Sequence, residues 1–136
     1  MAEEARVVDV VRAGEQQSET DHKLTGQDTT TRDSDGFKSR LASGWFSYEV
    51  KVLPGQPQQL IASIQHGDRS AEAYDVFVDD QLVPGQSLAG GSDIAFNLSP
   101  ELTRGKQSVT VKFAARPGKS VAGISLLRVL RSPTTP

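Results

Sequence analysis

Between Gly44 and Val52 the side chains alternate strictly, with Phe46, Tyr48, Val50 and Val52 on one side and Trp45, Ser47, Glu49 and Lys51 on the other. A period of two buries one set and leaves the other outward, so the stretch predicts a half-buried β-strand that starts just after a Ser-Gly turn. The same signature recurs at Leu60, Ala62 and Ile64, at Tyr74, Val76 and Val78, at Ile94, Phe96 and Leu98, and at Val109, Val111 and Phe113. Turn chemistry separates these runs: Pro54-Gly55-Gln56-Pro57, His66-Gly67-Asp68-Arg69-Ser70, Asp79-Asp80, Pro84-Gly85, Gly90-Gly91 and Pro117-Gly118. The Asp79-Asp80 pair predicts a hairpin into Gln81-Leu82-Val83. Arg6–Val11 is β-branched and fits a first strand or the tail end of an interdomain connector, and the mostly apolar Val121–Leu130 fits a central terminal strand. One helical turn is expected at Ser99-Pro100-Glu101-Leu102, ended by Gly105. About eight short strands and no amphipathic helix predict an all-β antiparallel β-sandwich of jelly-roll type.

From Arg12 to Ser43 the chain turns polar, with Leu24, Phe37 and Leu41 as its only large apolar residues. That is too long for an ordinary loop in a compact domain. It fits a flexible linker, an irregular segment pinned by side-chain hydrogen bonds, or a ligand or ion site. We expect it to be ordered, because Glu15-Gln16-Gln17-Ser18-Glu19-Thr20-Asp21-His22 is rich in hydrogen-bonding groups. The folded domain is expected over residues 6–131, with 1–5 as linker or disordered start and 132–136 as a frayed tail.

Composition excludes several chemistries. The chain has 136 residues and no cysteine, which removes disulfides, a thiolate nucleophile and cysteine-ligated metal. Fifteen basic and seventeen acidic residues are interspersed to a net charge of −2, so neither nucleic acid nor an anionic membrane is an expected partner. The start Met1-Ala2-Glu3-Glu4 is acidic where a signal peptide is basic and then apolar. The two histidines, His22 and His66, lack metal-ligand spacing. Asp33 with Asp35, or Asp79 with Asp80, could supply carboxylates to calcium, although turn chemistry accounts for them more simply. No Gly-x-Ser-x-Gly turn supports a serine nucleophile, and nothing singles out a carboxylate pair for glycoside hydrolysis.

The order of Gly14-Glu15-Gln16-Gln17-Ser18-Glu19-Thr20-Asp21-His22, Gly44-Trp45-Phe46-Ser47-Tyr48, Tyr74-Asp75-Val76-Phe77-Val78-Asp79 and Pro100-Glu101-Leu102-Thr103-Arg104-Gly105-Lys106 carries a resemblance. It resembles the C-terminal β-sandwich domain of bacterial glycoside hydrolases of the β-L-arabinofuranosidase family, over about Val8 to Arg131. Arg116-Pro117-Gly118 followed by Ala122-Gly123 fits the closing segment of that family. Two positions depart from it: Gln65-His66 stands where an aromatic pair is expected, and Arg116 where a histidine usually precedes the proline. The resemblance implies a galactose-binding-like sandwich with no catalytic group of its own, attached to an (α/α)6-barrel catalytic domain. It also implies a secreted or periplasmic protein, no cofactor beyond an optional structural calcium ion, and an oligosaccharide or polysaccharide ligand rich in arabinose or galactose. Sugar binding needs an aromatic face and planar polar side chains around it. Trp45 is the candidate platform, with Glu15, His22, Arg40, Asp68 and Arg116 as candidate hydrogen-bonding partners. The competing reading is a purely structural buttress for the barrel, which binds no sugar and presents an apolar docking patch.

Overall fold

Alternation in the strand that carries Trp45 does more than bury one face, because that strand, β3 (Phe37–Lys51), belongs to two layers at once. The computed structural model describes residues 7–34, 37–65, 69–87 and 93–131. In its second half β3 pairs Trp45–Lys51 with β9 (Ser108–Ala115), and that arm continues to β5 (Tyr74–Val78) and β6 (Gln81–Leu82). In its first half Arg40 and Ala42 pair with Ile124 and Val121 of β10 (Val121–Arg131). This second arm continues to β4 (Gln58–Gln65), β8 (Asp93–Leu98) and β7 (Gly85–Ser87). β1 (Val7–Arg12) lies against β10 and β2 (Thr25–Ser34) against β3. Among the described residues the result is a ten-stranded sheet whose ladders are antiparallel, curled so that both arms feed one core. The expected jelly-roll-like β-sandwich is therefore observed.

The turn from one arm to the other has a local cause. Between Gln27↔Trp45 and Thr29↔Ala42 the register slips, so Ser43 and Gly44 oppose Asp28 alone. Such a bulge sharpens twist and bends the strand. Asp28 takes a left-handed φ of 56°, and a Cβ at Gly44 would lie 2.3 Å from the Gln27 carbonyl oxygen. Only glycine fits there.

The core is made by the residues the alternation selects. Phe46, Tyr48 and Val50 of β3, Leu60 and Ile64 of β4, Val109, Val111 and Phe113 of β9, and Ile124 and Leu127 of β10 are buried. Phe46 stacks on Phe113 at 5.2 Å and meets Tyr48 edge-on at 5.7 Å. Each such side chain contributes about 1.5–3 kcal/mol by leaving water. The hairpin β5–β6 turns through Asp79 and Asp80, both at positive φ as a type I′ turn requires. Asp79 accepts from the Thr110 backbone N–H at 2.8 Å and pairs with Lys106 at 2.7 Å, a structural use of this carboxylate.

Ten strands are described, and two expectations need correction. β3 begins at Phe37, not at Gly44, because its polar first half is hidden from a hydrophobic pattern although Ser39 is fully buried. The polar segment contains a helix, α1 (Gln16–Asp21), where no helix was expected, and then the whole of β2. The predicted turn near Pro100 is α2 (Pro100–Thr103). The expected linker at 1–5 and tail at 132–136 lie outside the described residues.

Replacing Gly44 by alanine should push the β2 backbone away and loosen the corner. We expect a loss of about 2 kcal/mol in urea-induced unfolding, with Ser43→Ala nearly neutral by comparison.

Candidate functional site

Among the described residues, Arg40, His22 and Arg116 each line a different hollow, whereas Trp45 and Glu15 line none of the three. The first lies under α1. There Glu19 is buried and receives Arg40 through two bonds, Nε to Oε2 at 2.6 Å and Nη2 to Oε1 at 3.0 Å. The Tyr48 hydroxyl donates to the same Oε2 at 2.5 Å, and Arg40 Nη1 donates to Thr29 Oγ1 at 3.0 Å. Burial alone would raise the Glu19 carboxyl, but the bonds from Arg40 and Tyr48 outweigh it and hold the group below its ordinary value. Burial and the Glu19 carboxylate drive the Tyr48 hydroxyl far up, so it remains a donor. Arg40 is thus committed to holding α1 on the sheet. Glu15, at the N-terminal boundary of α1, is exposed, and its side chain makes no capping bond.

His22 closes the other end of α1. Its Nδ1 lies 2.7 Å from the Ser18 carbonyl oxygen and its Nε2 lies 2.9 Å from Asp9 Oδ1. Both partners are acceptors, so both ring nitrogens act as donors only in the imidazolium form. Burial pulls the His22 value down, yet the bonds to Asp9 and Ser18 dominate and raise it. Asp9 also accepts from the Lys51 backbone N–H at 2.8 Å, which ties β1, α1 and β3 together. The adjacent hollow is lined by Asp9, Asp21, His22 and Glu49. Among the described residues, no group of three or more acidic or histidine side chains is placed to hold a metal ion.

Trp45 points out of the β9 arm. Directly opposed residues share a face, so Trp45, Ala114 and Asp75 form one outward row, and Ser47, Lys112, Phe77 and Leu82 form the next. Lys112 Nζ lies 4.6 Å from the centre of the Trp45 ring, a cation–π contact that occupies one ring face. Leu82 is 63% exposed. At ordinary strand spacing Trp45 stands about 10 Å from Asp75.

The third hollow is a groove of ≈ 680 Å³ at the free edges of the two arms. Its size falls in the range of small-molecule sites. The β5 side contributes Glu72, Tyr74, Asp75, Val76 and Arg116, with Leu82 and Val83 along the adjoining β6 edge; the other side contributes Gly85, Ile94 and Phe96, and Pro84 lies on the link between them. Two residues, Val83 and Pro84, carry the chain from β6 to β7 across the gap, so the far edges of the arms are covalently joined. The far wall is packed, since a Cβ at Gly85 would come within 2.6 Å of Ile94 Cγ2 and 2.7 Å of the Phe96 ring.

Polar groups gather on the β5 wall. Arg116 Nη2 donates to Asp75 Oδ1 at 2.9 Å, and the Arg116 side chain is 61% exposed. Tyr74 packs on Phe113 at 6.4 Å, and burial, with the Glu72 carboxylate second, pushes its hydroxyl up to about 12. Val76 uses its carbonyl to accept from Val83 N–H on the outer edge of β5. By the two-residue alternation of the ladder, the backbone N–H and C=O of Tyr74 face that same edge, beyond the end of β6.

The structure therefore gathers Glu15, His22 and Arg40 around α1, brings Trp45 and Arg116 to one outer face, and sets Arg116 alone at the groove. Asp68 lies outside the described residues. Tyr74, Asp75, Leu82, Ile94 and Phe96 were missed as site residues, because Tyr74, Ile94 and Phe96 share their phase with the core. The signal available was positional: Asp75 and Arg116 flank strand ends.

The sequence matches over residues 2–130 a family described as "Family of unknown function (DUF6805)". Among curated proteins none matches. The fold is similar to that of a family 35 carbohydrate binding module from Clostridium thermocellum, at 11% identity and a TM-score of 0.58, over 90% of this chain and 97% of that one. It is also similar to a CBM35 from Paenibacillus barcinonensis, at 11% identity and a TM-score of 0.53, over 90% and 98% of the two chains. The ANX1 ectodomain from Arabidopsis thaliana matches at 15% identity and a TM-score of 0.59, over 91% of this chain and 41% of that one. At these identities the likeness is one of fold.

Two titrations of opposite sign meet at α1. The Glu19 contribution is full above its ordinary value of 4.5 and is lost as pH falls through its lower folded value. The His22 contribution is full below 6.5 and is lost as pH rises through its higher folded value. Thermal midpoints followed from acid to mildly alkaline pH should therefore peak between those two values. His22→Gln should flatten the alkaline side and Glu19→Gln the acid side. Because Glu19→Gln also leaves Arg40 buried beside a neutral partner, it should cost about 3 kcal/mol in denaturant unfolding at neutral pH.

Proposed function

The chain belongs to the family of unknown function DUF6805, and we propose that it is a noncatalytic carbohydrate-binding domain whose ligand enters the groove between β5 and β8. The observation that carries this reading is the groove itself: an apolar floor of Val76, Ile94 and Phe96 beside the Arg116–Asp75 pair, with Tyr74 also in its lining. Sugars present C–H faces and hydroxyl edges, and a site with both surfaces suits them. The domains of like fold from Clostridium thermocellum and Paenibacillus barcinonensis, named as carbohydrate-binding modules, support it. Trp45 lies outside the groove, on the row that ends at Asp75, and forms a second, flatter contact for a longer chain. The wider setting is an accessory domain of a secreted or periplasmic glycoside hydrolase acting on arabinose- or galactose-containing glycans. The resemblance of its linked motifs to the β-L-arabinofuranosidase family supports this setting. Catalysis then belongs to another domain of that enzyme.

A second reading has its own observation. The outer face of the β9 arm carries Trp45 and Phe77 half-buried and Leu82 exposed, a surface that suits docking against a catalytic barrel without any sugar.

Calorimetric titration against arabinan, arabinogalactan and galactan separates the two. We expect saturable binding that Arg116→Ala weakens about tenfold and that Trp45→Ala weakens far less. Loss on Trp45→Ala with Arg116→Ala unchanged moves the sugar to the outer face. The absence of binding across the panel leaves the buttress, and turnover of a chromogenic glycoside by the isolated chain overturns both readings.

A further inference from the structure

The two walls of the groove differ in chemistry, and the difference limits what can fill it. An unsubstituted sugar ring carries hydroxyls around much of its edge, and each one that is buried needs a partner. The β5 wall supplies partners: the Arg116 guanidinium, the Asp75 carboxylate, the Tyr74 hydroxyl and the Tyr74 backbone groups at the free edge. The facing wall of Ile94 and Phe96, with Pro84 on the link, supplies carbon from every side chain, and Leu82 and Val83 extend the apolar surface along the β6 edge. A hydroxyl turned toward that wall exchanges water for hydrocarbon. A methyl group turned toward it does the reverse.

The floor continues this asymmetry. Val76 and Phe96 are buried, Ile94 and Tyr74 are partly buried against the core, and the β7 backbone lies tightly on Ile94 and Phe96 at Gly85. The apolar side is consequently preformed rather than assembled around a ligand, and the Val83-Pro84 link fixes its distance from β5.

We propose that the groove selects a glycan carrying a small O-acyl ester, of which acetyl is the simplest. The sugar hydroxyls meet Arg116, Asp75 and Tyr74, while the acyl methyl packs against Ile94 and Phe96, with Leu82 of the β6 edge at the rim. Arg116 donates to the ester carbonyl or to a neighbouring hydroxyl, because its guanidinium has five N–H groups and uses one on Asp75 among the bonds seen. The role of the domain is then to hold its partner enzyme on esterified regions of a polysaccharide. This inference rests on the carbohydrate-binding reading above.

The test uses three preparations of one polysaccharide: an O-acetylated pectic arabinogalactan, the same sample after mild alkaline de-esterification, and that sample chemically re-acetylated. Titration of the whole chain should give affinity about fivefold or more higher for the acetylated form, with re-acetylation restoring what alkali removes. Leu82→Gln changes an exposed side chain and should leave the fold intact, as circular dichroism would verify. It should bring the acetylated and de-esterified forms to within about twofold of each other by removing apolar area from the rim. Equal affinity of the wild-type chain for both forms overturns the acyl inference and leaves carbohydrate binding standing. Binding to neither form overturns the carbohydrate reading as well.

Discussion

Two layers depend on a single strand. β3 contributes Arg40 and Ala42 to the β10 arm and Trp45 through Lys51 to the β9 arm, so the core between the arms closes only if β3 bends where it does. The bend has a steric basis in Gly44 against the Gln27 carbonyl, and it also has a polar brace. Arg40 before the corner and Tyr48 after it converge on one carboxylate, Glu19 of α1. Buried ion pairs are costly to desolvate, and in some proteins they fix a unique arrangement rather than add net stability. Here the arrangement in question is the angle of the corner and the seating of α1.

The groove follows from the same geometry at the opposite end of the arms. β5 and β8 diverge from the shared strand, and the short β6 and β7 meet across the gap through Val83 and Pro84. Tyr74, Val76, Ile94 and Phe96 are therefore core residues and groove residues together, buried on one side and available on the other. The carboxylates divide similarly into uses. Glu19, Asp9 and Asp79 are spent on internal bonds, whereas Asp75 meets Arg116 where solvent and ligand can reach both.

The sequence was informative where burial dictated residue type. Phe46, Tyr48 and Val50, and likewise Val109, Val111 and Phe113, alternate because one side of each strand faces the core, and period two reveals that directly. It was silent where hydrogen bonds rather than apolar area fix the conformation. Phe37 to Ser43 is strand because β2 and β10 flank it, not because its own side chains alternate in polarity, and α1 exists because Glu19 finds Arg40. His22 and Arg40 stand out for polarity in an odd segment, and the same polarity stitches that segment down, whereas the Glu15 side chain stays exposed. Arg116 was legible as a turn-flanking cation. Its partner Asp75 was not, since nothing local reports a contact forty-one residues away in the chain.

The ladder between β1 and β10 has a further consequence. Val7 pairs with Leu130 and Arg12 with Leu126, so the first of the described strands finds its neighbour in the last of them. Until the ribosome has delivered β10, the valines of β1 have no sheet to join, and the loop to be closed spans nearly the whole domain. Domains dominated by such distant pairings form slowly. Nascent chains of this protein thus pass through an interval in which β1 is available to chaperones, or to the β10 of another molecule, before its own arrives.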